Sequence, residues 1–407
     1  MRILVLASRR IESRQSGYDL RVAHLCAHLP GEAHLVVIPL EDEPEGRPAG
    51  LAVDPLFAST ETLSAFPPGR ERPRRYLRTS NDHYMQLSRP GRFAEARDRL
   101  REIVVERGIT HVVVFGVALA ELAVTLEGVT TVLDVCDSGA LTAERALTGS
   151  AQPSHGLTRW KDHLALRRKR ATEGRLPDRF DVVVTISEPD TRAIERLYGR
   201  GGVVDTVPNG IDEAFLTPLA TPGSRHGVVF WGNLGFAPNR DALWFFLHEI
   251  WAPYLRDAGV ELCVIGPNAP SWLAELAERE PLIALTGYVE DLRAAVAPYP
   301  VMINPMLTGS GLKNKVLEAF GLGIVVVSTR LGVEALPEVR DGIHLLTAEG
   351  PSAFAHAVRS VLKDTALADE LRAGAHGLVE EQYRWEAIGR QWASLFAAAP
   401  STGRTGG

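Results

Sequence analysis

The stretch Asn304-Pro-Met-Leu-Thr-Gly-Ser-Gly-Leu-Lys-Asn-Lys-Val-Leu-Glu-Ala-Phe-Gly carries the residues best suited to chemistry. It reads as a strand, a loop containing Gly309, Ser310 and Gly311, then a helix. Glycines let the backbone approach a ligand, and the first N–H groups of a helix attract anions. Lys313 and Lys315 fall in the first turn, where cations oppose the helix dipole. Only five of the 44 basic residues are lysine, and two of those five stand here. A bound anion, most simply a diphosphate, resolves the conflict. The competing reading is a Lys315–Glu318 pair at i,i+3, worth only a few tenths of a kcal/mol. Glu318, one turn further on, is placed to accept hydrogen bonds from ribose hydroxyls.

The elements that must position these residues alternate between strand and helix. In the first half, Met1–Ala7 and Ala33–Leu40 read as strands around the helix Tyr18–Leu29. Residues 41–90 are rich in Pro, Arg and Ser and predict loops with at most a short helix. Phe93–Arg107 is an amphipathic helix stopped at Gly108. His111–Phe115, Thr130–Val135, Phe180–Ser187 and Val203–Val207 are further strands, and Glu188–Tyr198 is a helix stopped by Gly199. After a linker at 213–227 the alternation resumes. Strands fall at Val228–Trp231, Val260–Gly266, Ile283–Thr286, Val301–Pro305 and Ile324–Ser328. Helices fall at Asp241–Leu255, Lys313–Phe320, Ser352–Val361 and Trp385–Ala397. This predicts an α/β chain of two facing, doubly wound parallel-sheet domains, 1–212 and 228–384. A helix at 385–398 is placed to cross back to the first domain, and a disordered tail is expected at 399–407.

Composition narrows the function. The chain has 407 residues, a net charge of −6 and 45% hydrophobic residues, an ordinary globular balance. Neither half carries the basic excess of a nucleic-acid binder. The longest apolar run, Val112–Val124, is interrupted by Glu121 and is too short for a membrane span. Three scattered cysteines give no disulfide framework and suggest the cytoplasm. The first βα turn lacks GxGxxG, so a nicotinamide cofactor is not expected. His24 and His28 have a metal-compatible spacing without a third ligand, so they read as a solvated helix face. Glu41-Asp42-Glu43 likewise reads as solvated, and no metal site is expected. The basic helix Trp160–Arg170 reads as a solvated face, with contact to an anionic membrane or phosphorylated acceptor as the alternative.

Several stretches resemble one family. GSGLKNKVLEAFGLGIVVVSTRLGVEAL is similar to the donor-site segment of retaining, GT-B-fold glycosyltransferases of glycosyltransferase family 4. Val184–Glu188, Val207–Asp212 and the segment FWGNLGFAPNRDALWFF (Phe230–Phe246) agree with that family's sugar-transferase branch, as does Gly17-Tyr18-Asp19-Leu20-Arg21. The similarity is strong over 203–340 and weak over 30–130.

The resemblance implies roles residue by residue. Lys315 and Lys313 would bind the diphosphate of a nucleotide-sugar donor linked to UDP or GDP, and Glu318 its ribose. Gly17 and Gly232 would let loops approach the donor, and Gly287 and Tyr288 would flank the base. The pattern often has another glutamate eight positions before this one; here that position is Ser310, so contacts to the sugar would pass to the backbone N–H groups of Gly311 and Leu312, with Gly309 and Ser310 also among the donor-binding residues. A histidine often stands at the end of the strand that here reads Asp134-Val135-Cys136-Asp137-Ser138, which nominates Asp137 as catalytic. Its competing reading is a helix N-cap. The implied activity is metal-independent transfer of a hexose-type sugar to an unidentified acceptor hydroxyl, in the cytoplasm or at the inner membrane face. The alternatives are a catalytically silent GT-B scaffold or activator, and another GT-B enzyme such as a sugar-nucleotide epimerase.

Overall fold

The computed structural model describes residues 1–9, 17–40, 54–64, 84–219 and 226–398. The expectations for Glu41–Glu43, for part of the linker and for the tail at 399–407 lie outside them. The described residues gather into two compact units.

The first unit holds a sheet of seven strands. They are β1 (Arg2–Ala7), β2 (Glu32–Val37), β3 (Ser59–Thr62), β4 (His111–Phe115), β5 (Thr130–Cys136), β6 (Val182–Thr185) and β7 (Asp205–Thr206). All neighbours pair in parallel, in the order β3-β2-β1-β4-β5-β6-β7. The central strands are buried on both faces, which their unbroken Val, Ile and Leu runs require. The strand order reverses between β1 and β4, and such switch points open a crevice at the C-terminal strand ends. The helix Glu188–Tyr198 has the expected limits: Ser187 caps its start by accepting from Asp190 N–H, and Gly199 ends it in the left-handed region. The short β3, in the region predicted as loop, pairs with β2 through a half-exposed STET segment that carries no apolar pattern.

A buried ion pair fastens this unit. Arg21, fully buried on the helix Gly17–Ala27, donates from Nε to Asp134 Oδ2 at 2.6 Å. Its Nη1 reaches the carbonyls of Val207 at 2.8 Å and Pro208 at 3.3 Å. Asp134 Oδ1 accepts the backbone N–H of Cys136 at 2.9 Å. One guanidinium therefore links the first helix, β5 and the exit of β7.

The second unit holds six parallel strands. They are β8 (Gly227–Trp231), β9 (Glu261–Ile265), β10 (Ile283–Gly287), β11 (Val301–Asn304), β12 (Val325–Ser328) and β13 (Leu346–Thr347), in the order β10-β9-β8-β11-β12-β13. The switch point lies between β8 and β11. The helix Thr365–Gln382 was not anticipated, and Gly374 and Gly377 inside it dilute the periodic signal.

The units do not follow the sequence boundaries at 212 and 228. Residues Thr142–Arg159, from the helices Gly139–Gly149 and Gly156–Glu173, belong to the second unit. From Glu386 on, the chain belongs to the first. There Trp392 is fully buried and packs on Phe115 of β4, with ring centroids 6.2 Å apart. Gly389 lets the His28 ring approach so closely that a Cβ would collide with it. His28 is therefore packed and not part of a solvated face: Gly389 of the C-terminal helix, remote in sequence, lies against its ring.

Removing one partner of a fully buried pair leaves an uncompensated charge, which costs about 3–5 kcal/mol. Arg21→Met is expected to destabilise the first unit by that amount in urea unfolding, and Arg21→Met with Asp134→Leu to recover most of it. A single variant within about 1 kcal/mol of wild type would show the pair to be dispensable.

Candidate functional site

The glycine loop and its helix sit at the β8/β11 switch point. The helix runs Asn314–Leu322, with Lys313 at its N-cap and Gly323 ending it in the left-handed region. Lys315 is thus its second residue. The loop before it turns through Gly309 at φ 96° and Gly311 at φ 71°, values that favour glycine. Leu312 is buried beneath it. Thr329 Oγ1 anchors the loop's entry by donating to Met306 O at 2.7 Å.

Lys315 turns toward β8. Its Nζ donates to Asn239 Oδ1 at 2.9 Å and lies 3.9 Å from the centroid of the Phe230 ring, a cation–π distance. Burial pushes its pKa down from 10.5 to about 7, and the neighbouring Lys313 adds to this. Glu318 takes a different partner: its Oε2 accepts Trp231 Nε1–H at 2.7 Å. Burial raises its pKa, against the indole hydrogen bond. The bland i,i+3 pairing is thus replaced by two separate contacts to β8. Lys313 Nζ donates back to Ser310 O at 2.7 Å and Gly311 O at 2.8 Å.

Gly232 follows β8 directly, at φ 146°. A side chain there would press on the Asn239 amide that holds Lys315, and its carbonyl leaves no room for a side chain at Gly266. Gly287 ends β10 and accepts Gly266 N–H at 2.8 Å. Tyr288 beside it is exposed. The second unit therefore brings Gly232, Gly309, Ser310, Gly311, Leu312, Lys313, Lys315 and Glu318 around two adjacent strand ends. Gly287 and Tyr288 stand two strands away, at the sheet edge.

Sequence reasoning missed Trp231, Asn239 and Phe230 as holders of Glu318 and Lys315, although all three lie in a segment it singled out. An indole N–H after an apolar strand run carries no local signal of what it will meet across the sheet.

Gly17 and Asp137 belong to the first unit. Gly17 is exposed and opens the helix that follows β1. Asp137 is exposed just beyond the end of β5. It is not an N-cap: Ser138 Oγ takes that place, accepting Leu141 N–H at 3.1 Å. Cys136 before it has φ 63°, in the left-handed region. Two buried carboxylates hold this turn. Glu173 accepts Ser138 Oγ–H at 2.5 Å and Ala140 N–H at 2.8 Å. Asp190 accepts Ser138 N–H at 2.8 Å.

Among the described residues, no three His, Cys, Asp or Glu side chains gather as metal ligands would. No described helix is long and apolar enough to cross a membrane. On the basic helix Gly156–Glu173, Leu166 and Arg168 are buried, while Leu157 and Trp160 are exposed.

Comparison with known proteins agrees with this geometry. Residues 225–364 match the family model described as Glycosyl transferases group 1. The glycogen synthase of Mycobacterium tuberculosis is 25% identical over 265 residues, covering 59% of each protein. The chain spans about half the length of the curated relatives it matches. Among solved structures, sucrose-phosphate synthase from Thermosynechococcus elongatus aligns with a TM-score of 0.67 at 14% identity, over 98% of each chain. Anabaena HepE in complex with UDP aligns with a TM-score of 0.63 at 15% identity, over 98% of this chain and 100% of that one. The two parallel-sheet α/β units have the GT-B fold of these structures.

Burial raises the Glu173 pKa from 4.5 to about 7, partly offset by its hydrogen bonds from Ser138 and Ala140. The folded protein thus keeps a proton that the unfolded chain releases. The stability this contributes is complete below pH 4.5 and is lost as pH rises through 7, a change of roughly 3 kcal/mol. Glu173→Gln is expected to flatten that decline in denaturation midpoints measured from pH 4.5 to 8. A wild-type profile with no decline, or one unchanged by the substitution, would contradict it.

Proposed function

We propose that this protein is a retaining, metal-independent glycosyltransferase of glycosyltransferase family 4. It moves a hexose-type sugar from a UDP- or GDP-linked donor to an acceptor hydroxyl in the cytoplasm. One observation carries the reading: Lys315 is held at a helix N-terminus beyond a glycine loop, with its ammonium against Phe230 and Asn239 and Glu318 one turn on. The group 1 glycosyl transferase match over this segment and the UDP complex of the HepE relative support it.

The diphosphate is the leaving group. Negative charge grows on it as the glycosidic bond breaks, so donors that strengthen with that charge lower the barrier. Lys315 and the first N–H groups of the 314–322 helix supply such donors without a metal ion, while Lys313 holds the carbonyls of the glycine loop. A diphosphate beside Lys315 also favours its charged form, opposing the effect of burial. Glu318, with one oxygen on Trp231, offers the other to ribose hydroxyls. Asp137 is the candidate catalytic residue of the first unit, and its tethered turn fixes where it is presented. Departure of the diphosphate and attack of the acceptor on one face follow the family resemblance. Leu157 and Trp160, exposed beside Arg159 and Lys161, support a peripheral contact with anionic lipid at the inner membrane face.

Lys315→Ala is expected to lower kcat/KM for the donor by about 10²–10³ in a folded protein, the worth of a charge-assisted bond that strengthens as the leaving group departs. Wild-type turnover is expected to survive EDTA. Near-normal kcat/KM in the folded variant removes the diphosphate assignment; activity lost to EDTA and restored by Mn²⁺ removes metal independence.

A further inference from the structure

Three successive carbonyls of the glycine loop are each taken by a cation. Lys313 Nζ takes Ser310 O at 2.7 Å and Gly311 O at 2.8 Å. The carbonyl before them, Gly309 O, accepts Arg145 Nη1 at 2.9 Å. Arg145 comes from Thr142–Arg159, the segment that joins the second unit from the first half of the sequence. Its guanidinium also forks onto the Glu334 carboxylate through both terminal nitrogens, with Nη2 to Oε2 at 2.8 Å. Both side chains are mostly buried, at 19% and 26% exposure, so water does not substitute freely for either. Thr142 adds a hydroxyl contact to Ser310 Oγ at 2.5 Å, and Ser150 holds Asp241 at 2.7 Å.

In a trans peptide the C=O of one residue and the N–H of the next point in opposite directions. Carbonyls of Gly309, Ser310 and Gly311 turned toward Arg145 and Lys313 therefore turn the N–H groups of Ser310, Gly311 and Leu312 the other way. Successive N–H groups in a turn with positive φ form a concave, anion-attracting surface. Which side of the loop carries that surface is set by what holds the carbonyls. Lys313 is part of the loop and moves with it, whereas Arg145 is anchored outside it by Glu334.

We propose that Arg145 is a positioning residue for the donor. It fixes the Gly309–Leu312 loop with its amide groups facing the diphosphate, and Glu334 fixes Arg145. This rests on the donor reading above.

The test compares UDP with UMP, measuring binding to the full-length protein by calorimetry, with GDP and GMP as the pair if the wild type prefers guanine. Arg145→Met is expected to weaken UDP binding roughly tenfold or more, the scale of one lost hydrogen bond to a charged group. It should leave UMP affinity within about twofold, because UMP lacks the second phosphate. Arg145→Lys keeps the charge but loses the fork and is expected to fall between; it decides by the same comparison should Arg145→Met not fold. Glu334→Gln should reproduce part of the loss. Unchanged UDP affinity in a folded Arg145 variant, or equal losses for UDP and UMP, overturns the inference. A wild type that binds neither UDP nor GDP overturns the donor reading, and this inference with it.

Discussion

The candidate site depends on an ammonium group in a place that disfavours it. Lys315 stands at the positive end of a helix, beside a second lysine, over an aromatic ring. Its hydrogen-bond partners, the Asn239 amide oxygen and the Met306 thioether, carry no formal charge. By the helix dipole alone, a cation would be more stable at the other end of the helix. It is sustained by the neighbours that fix it. Gly232 leaves room for Asn239, Asn239 holds Lys315, and Trp231 holds Glu318, whose charge attracts Lys315. Local consistency between sequence and structure fails here, as it tends to at functional positions.

The two units place the loops at their strand ends by the same topology with different internal braces. In the first, the fully buried Arg21–Asp134 pair ties the first helix to β5, and Asp134 bends the chain at Cys136. Glu173 and Asp190 then hold Ser138, leaving Asp137 as the exposed side chain of the turn. In the second, Asn304 braces the strand ends by bonding Ser328 Oγ and Gly332 O, each at 3.0 Å, and the Arg145–Glu334 pair braces the loop beyond them. A charged brace gives geometric definition at a desolvation cost, and makes Asp134 and Arg21 harder to replace singly than together.

Much of this was legible in the chain. Two runs of apolar strands alternating with capped helices are a local pattern, and so are Ser187 and Gly199 at the ends of their helix. The Gly-Ser-Gly loop followed by two lysines is a local conflict, visible without coordinates. What escaped was set by distant contacts. The two-residue strand β13 exists because β12 pairs with it. His28 looked solvated because Gly389, more than 300 residues later, is what covers it. Trp231 and Arg145 are ordinary residues in their own segments and gain meaning from Glu318 and from the Gly309 carbonyl.

The central claim is that a nucleoside diphosphate sits against Lys315. Burial holds the unliganded Lys315 pKa near 7. A diphosphate would draw it back toward its ordinary range, so binding at pH 8 must take a proton from solution. Calorimetric titration of UDP at pH 8, in two buffers of different ionisation enthalpy, counts that proton directly. The account predicts uptake approaching one proton, fading below pH 6 and absent in Lys315→Met. Tight binding at pH 8 with no proton uptake would place the diphosphate elsewhere and contradict it.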